Sequence, residues 1–157
     1  MTSITYVALL AGMLFFSATP TAIKPVSPTV HRNPVTESKE IRFIENAWAV
    51  ARKRAKAEGK YIFVDAYAVW CGPCKLLKST TFKDSDVADF FNAHFVNLSI
   101  DMEKGEGLRL AEMWQVNAYP TLMVVDANGN PVLSNIGFMK PDALLEFGRQ
   151  ALEKQKK

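Results

Sequence analysis

Residues 61–68 read YIFVDAYA, a nearly unbroken apolar run rich in β-branched and aromatic side chains. A strand with one wet face alternates apolar and polar residues. A continuous run predicts a strand buried on both faces. Such a strand sits inside a sheet and needs cover above and below. Asp65 lies in the middle of the run, where a charged side chain is costly unless something there needs it.

The neighbouring patterns supply the cover. Ile44, Ala47, Trp48, Ala51 and Ala55 mark one face of a helix over 44–58, ending near Gly59. Arg52, Lys53, Arg54 and Lys56 form its other face, a solvated one. A helix is expected from Cys74 towards Thr80. Another, with Val87, Phe90 and Phe91, starts from the capping residues Asp84, Ser85 and Asp86. Residues 95–100 (FVNLSI) read as a second strand. A polar loop over 101–107 and a short helix over 108–114 follow. Residues 121–125 form a third strand, and Asn128-Gly129 turns it into a fourth over 132–136. Pro141 opens a last helix that turns Leu144, Leu145, Phe147, Ala151 and Leu152 inward. The fold class is therefore α/β, a central mixed β-sheet flanked by helices on both faces.

At 157 residues there is room for one domain and some remainder. With 48% hydrophobic and 22% charged residues, wholesale disorder is excluded. The 19 basic against 16 acidic side chains leave too small an excess to imply nucleic acid. Every charged side chain falls at Lys24 or later. Within the uncharged start, residues 4–16 form an apolar run that as a helix reaches about 20 Å, short of the roughly 30 Å of a bilayer core. Residues 1–23 are read as a secretory signal peptide. A retained membrane anchor, tethering through residues 4–23, and a cytosolic tail stay open. Residues 24–40 carry Pro25, Pro28, Pro34 and the solvated His31, and read as an extended tether. The domain proper spans 41–157. Its expected location is periplasmic or otherwise exported, with a cytoplasmic one open.

The chemistry follows the buried strand directly, in Trp70-Cys71-Gly72-Pro73-Cys74. Two cysteines three apart at a helix start can close a small disulfide ring. Helical N–H groups then aim at the first sulfur and favour its thiolate, the nucleophile of disulfide exchange. Cys74, one turn in, is expected to be the more buried and to resolve the mixed disulfide. Pro73 suits a first helical turn, where its missing N–H costs nothing. The alternatives are a zinc site and a pair of structural cysteines. Zinc needs about four ligands, and only His31 and His94 remain as histidines.

Residues 41–155 resemble a thioredoxin-fold domain, and WCGPC is similar to the active-site motif of the thioredoxin family. Three further features resemble the family in order along the chain: Asp65 six positions before Cys71, Tyr119-Pro120-Thr121 at the start of the third strand, and Gly137 after the last strand. The resemblance implies a cis Tyr119–Pro120 bond facing the disulfide, and proline is the residue for which a cis bond is cheap. It implies no cofactor beyond the Cys71–Cys74 disulfide and no metal. It makes Asp65 the buried acid that takes the Cys74 proton, and burial should raise its pKa towards that task. Trp70, Ala118, Tyr119 and Gly137 become the surface for an extended substrate, with Trp70, Gly72, Pro73 and Pro120 supporting the site.

Two departures stand out. Thioredoxins often place a lysine beside the buried acid on the next strand, and the matching position is Asn97. Without that cation the acid's pKa should lie higher. The loop around residues 104–107 is also longer than in short cytosolic thioredoxins, and the lead-in helix 44–58 and Phe82-Lys83-Asp84 followed by Val87 are instead similar to exported domains of the DsbD type. The resemblance implies a monomeric protein-disulfide reductase that takes protein disulfides as substrates and an upstream thiol reductant as partner. An exported oxidase or isomerase, and a tethered binding module without redox turnover, stay open as alternatives.

Overall fold

The computed structural model describes residues 40–155. The expected signal peptide over 1–23, the expected tether up to residue 39, and His31 lie outside the described residues. Five strands form one sheet: β1 (Ile44–Glu45), β2 (Tyr61–Tyr67), β3 (Phe95–Asp101), β4 (Thr121–Val125) and β5 (Pro131–Ile136). Their spatial order is β1-β3-β2-β4-β5. β1 and β2 run parallel to β3, whereas β4 runs antiparallel to both β2 and β5. The sheet is mixed, as the sequence implies, and β2 is its centre.

β2 shows why the apolar run is unbroken. Successive side chains leave a strand on opposite faces. Ile62, Val64 and Ala66 enter one core, under α1 (Trp48–Glu58) and α4 (Glu106–Met113), with Trp48, Ala51, Ala55 and Leu110. Phe63 enters the other, with residues of α2 (Gly72–Ser79), α3 (Ser85–His94) and α5 (Pro141–Gln155). There it meets Phe43, Phe82 and Phe91 at ring separations of 4.5–6.2 Å. Asp65 shares the face of Phe63 by strand alternation.

The expected helix over 44–58 is shorter than its apolar spacing implies. Ile44 and Glu45 are a strand, in register with Leu98 and Ser99. Asn46 then adopts φ 49° and ends it. The open edge of β3 needs hydrogen-bond partners, and that requirement outweighs a helical spacing of apolar residues. The first turn of α1 has no local side-chain cap. Its Trp48 N–H instead donates to Glu106 Oε1 at 2.6 Å, from a residue 58 positions away. α3 follows expectation, with Asp84 Oδ1 accepting from the N–H groups of Asp86 and Val87 at 3.1 Å each. α2 starts two residues earlier than expected, at Gly72, with Cys71 as its capping residue. In α5, Leu144, Phe147 and Ala151 are buried, and Leu145 and Leu152 are partly covered.

The hairpin between β4 and β5 turns over residues 126–130. Burial works against the Asp126 charge, but hydrogen bonds from the Asn130 amide and from the backbone of Asn130, Asn128 and Gly129 outweigh it and hold the carboxyl below its ordinary range.

Gly107 is fixed by packing. A Cβ placed there would stand 1.9 Å from the Asp101 carbonyl oxygen and 2.9 Å from its carbon. The backbone of the loop after β3 and the first turn of α4 would have to separate. Gly107→Ala should therefore lower stability by about 1–3 kcal/mol, the usual range for overpacking. Urea unfolding with an unchanged m-value would register it, and a shift under about 0.3 kcal/mol would contradict the close approach.

Candidate active site

β2 leads into a turn that closes through the Cys71 N–H to the Ala68 carbonyl, 3.1 Å. Cys71 then caps α2. Its Sγ accepts the backbone N–H of Cys74 at 3.1 Å. Gly72 and Pro73 fill the first turn, where Pro73 forfeits no helical hydrogen bond. Cys71 and Cys74 are joined in a disulfide, with Cα atoms 5.3 Å apart. The sequence predicts Cys74 to be the more hidden, yet both residues are 2% exposed. In the oxidised pair each sulfur shields the other, and Ala68, Tyr67 and Tyr119 pack around them.

Trp70 is 65% exposed, so it is not core packing. Its indole Nε1–H donates to Glu103 Oε2 at 2.9 Å, and its ring meets Tyr119 edge-on with centroids 5.9 Å apart. A large flat apolar surface is thus pinned beside the disulfide, with Val69, Ile136 and Phe138 also exposed.

The Tyr119–Pro120 bond is cis. Pro120 is buried, and Ala118 and Tyr119 are half-buried. Thr121 Oγ1 donates to the Ala118 carbonyl at 2.8 Å. The Gly137 N–H donates to the Pro120 carbonyl, also at 2.8 Å. Gly137 has φ 102°, a conformation that favours glycine. The residues expected as a substrate surface are therefore drawn together from two strand ends, 118–120 before β4 and 137 after β5.

Asp65 is fully buried. One oxygen, Oδ2, accepts from Ser99 Oγ at 2.9 Å. The other, Oδ1, has no hydrogen-bond partner among the described residues. Burial pushes the carboxyl from its ordinary 3.8 up to about 6, against the pull of the Lys78 ammonium and the Ser99 hydroxyl, with Glu45 adding to the rise. Asn97, expected to leave the acid without a cation, stands in register with Phe63. Its amide turns to the Phe91 carbonyl and Asn92 Oδ1. The cation comes instead from α2, as Lys78 Nζ 3.9 Å from Asp65 Oδ2.

Three partners escape a linear reading. Ser99 faces Asp65 only through the parallel register of β3. Glu103 reaches Trp70 across 33 residues. Lys78 had a signal: four positions after Cys74, it shares that residue's helix face. Among the described residues, no group of three or more His, Cys, Asp or Glu side chains is placed to hold a metal ion.

The comparisons with known proteins agree with this geometry. A family model described as a thioredoxin-like domain matches residues 48–152. The chain belongs to the thioredoxin family. It is 32% identical over 138 residues to the thiol:disulfide interchange protein DsbD of Colwellia psychrerythraea, covering 82% of this chain and 22% of that one. It is 29% identical to a thioredoxin of Mycoplasma genitalium, over 72% of this chain and 96% of the relative. A solution structure from Bacteroides thetaiotaomicron, to which a disulphide-isomerase role is ascribed, superposes with TM-score 0.65 at 46% identity, over 73% of this chain and 94% of that one. The chain spans about a fifth of the length of the DsbD relative. The fold is the thioredoxin fold.

The buried carboxyl links the site to stability. Below about pH 4 Asp65 is protonated in folded and unfolded chains alike and contributes nothing. From there to about 6 the folded chain keeps a proton that the unfolded chain has lost, and the cost of ionisation grows. Above that window the full cost, about 3 kcal/mol, is in place. Asp65→Asn should therefore stabilise the fold more at pH 8 than at pH 4.5. Thermal unfolding at the two pH values tests it, and an equal gain at both would contradict the assignment.

Proposed function

We propose that this chain is an exported protein-disulfide reductase working through Cys71 and Cys74. The observation that carries the reading is the capping of Cys71: the Cys74 N–H points at its sulfur at the start of α2. In the reduced protein that donor and the helix end stabilise a Cys71 thiolate. Cys71 attacks one sulfur of a substrate disulfide, and the other sulfur leaves as a thiolate. Cys74 then attacks Cys71 Sγ, its proton passing to Asp65, and the second substrate sulfur departs. The substrate gains two electrons and becomes a dithiol, and Cys71–Cys74 becomes the disulfide seen here. An upstream dithiol restores the reduced pair.

The exposed rings of Trp70 and Phe138 offer non-selective apolar contact to an extended substrate. Backbone groups at Ala118, Tyr119 and Gly137 can pair with its main chain. Export rests on the uncharged residues 1–23 and on the similarity to DsbD. Among the described residues, no helix is long and apolar enough to cross a membrane. Isomerase activity is the second reading, favoured by the Bacteroides structure.

Equilibration with glutathione separates the directions. A reductase should fall near the thioredoxin value of about −270 mV, and a value near the DsbA figure of about −120 mV would overturn reduction. Cys74→Ala should trap substrates and the upstream donor on Cys71 as mixed disulfides, identified by mass spectrometry of whole cells. If Cys71→Ala, which leaves Cys74 as the single cysteine, traps the same set, Cys71 is not the nucleophile.

A further inference from the structure

Lys78 is held by two contacts. Its Nζ lies 3.9 Å from Asp65 Oδ2 and 3.8 Å from the ring centroid of Tyr67. The ring face attracts the cation and seats it over the end of β2. The Lys78 side chain is 39% exposed, against 0% for Asp65. It lines two surface grooves. One is shared with Tyr67, Ala68, Val69, Cys74 and Lys75. The other is shared with Arg42, Glu45 and Phe82, among others. The ammonium thus stands between solvent, the buried carboxylate and the helix face that carries Cys74.

Among the described residues, the surroundings of Asp65 offer no second cation within ion-pair distance. From β3 the facing group is the Ser99 hydroxyl. From β4 the residue in register is Leu122. From β1 the charge acting on it is that of Glu45, which disfavours a second negative charge. Lys78 of α2 supplies the favourable charge. A carboxyl that stays protonated cannot take a proton, so the resolving step needs the ionised form.

We propose that Lys78 is the positioning residue of the resolving half-reaction: its ammonium holds Asp65 as a carboxylate, ready to accept the Cys74 thiol proton. This rests on the exchange mechanism proposed above. In the step, the Cys74 S–H bond breaks and its proton goes to Asp65. The Cys74 sulfur bonds to Cys71 Sγ, and the bond from Cys71 to the substrate sulfur breaks. The substrate leaves as a thiolate and takes a proton from water, and Asp65 returns its own to solvent. The cation comes from the helix that bears the redox pair, so Cys74 and the charge tuning its base move as one rigid unit.

The test uses single-turnover reaction of the reduced protein with 5,5′-dithiobis(2-nitrobenzoate) between pH 5 and 9. A first release of thionitrobenzoate reports Cys71 attack, and a second reports resolution by Cys74. Lys78→Met should leave two phases. It should move the acid limb of the second phase up by about one pH unit, the lower end for loss of an adjacent opposite charge. Below that limb the second phase slows about tenfold. Lys78→Arg should restore the wild-type profile. In an Asp65→Asn background Lys78→Met should change nothing further. A slowing equal at every pH, or an effect that persists beside Asp65→Asn, would show a structural role and overturn the proposal. An unmoved profile would do the same. Loss of the first phase in the wild type would instead overturn the exchange mechanism, a separate failure. Should the Met variant fail to fold, Lys78→Gln keeps the stem and the polar head and reads the same limb. An NMR titration of the Asp65 side-chain carbon in the oxidised protein gives the shift independently, and no upward movement in Lys78→Gln would also overturn it.

Discussion

The central strand carries two demands at once. β2 is hydrogen-bonded along both edges, to β3 and β4, and its side chains enter both cores. A strand so enclosed is the most rigid part of such a domain and the driest. Rigidity makes it a good platform for the turn that launches α2. Dryness makes its one carboxylic acid, Asp65, sensitive to single charges. The thiol chemistry at the end of the strand and the acid within it are thus two consequences of one burial.

The rest of the site balances that cost without removing it. One carboxylate oxygen is paired with a hydroxyl and lies near a half-exposed ammonium, and the other has no hydrogen-bond partner among the described residues. Full satisfaction by backbone N–H groups would have pulled the carboxyl well below neutrality and made it a poor base. Partial compensation leaves it titrating at about 6, near the pH at which it would exchange protons. The same incompleteness makes the folded state less stable when Asp65 is ionised.

Much of the fold is legible because burial writes itself into composition. The unbroken apolar run of β2, the Asp84 cap of α3 and the Asn128-Gly129 turn each depend on neighbours a few positions away. The helix over 44–58 is misread at its start because the deciding partner, the edge of β3, lies about fifty residues on. Apolar spacing at Ile44 fits a helix, and only the unpaired edge makes it a strand. The Glu106 cap of α1 is hidden for the same reason.

The sequence by itself determined the chemistry: two cysteines flanking Gly72-Pro73 at a helix start, a proline at position 120, and an acid in an apolar strand. Helix-start geometry and proline's tolerance of a cis bond are local properties of those residues, and burial of the acid follows from the apolar run around it. Tertiary structure decided which groups act on them. Strand register set Ser99 rather than Asn97 against the acid, and helix packing brought Lys78 to it. Loop packing tied Glu103 to Trp70. Electrostatic and hydrogen-bond partnership depends on distances of a few ångströms across the chain, and local sequence carries no record of those distances until the sheet and its helices have closed.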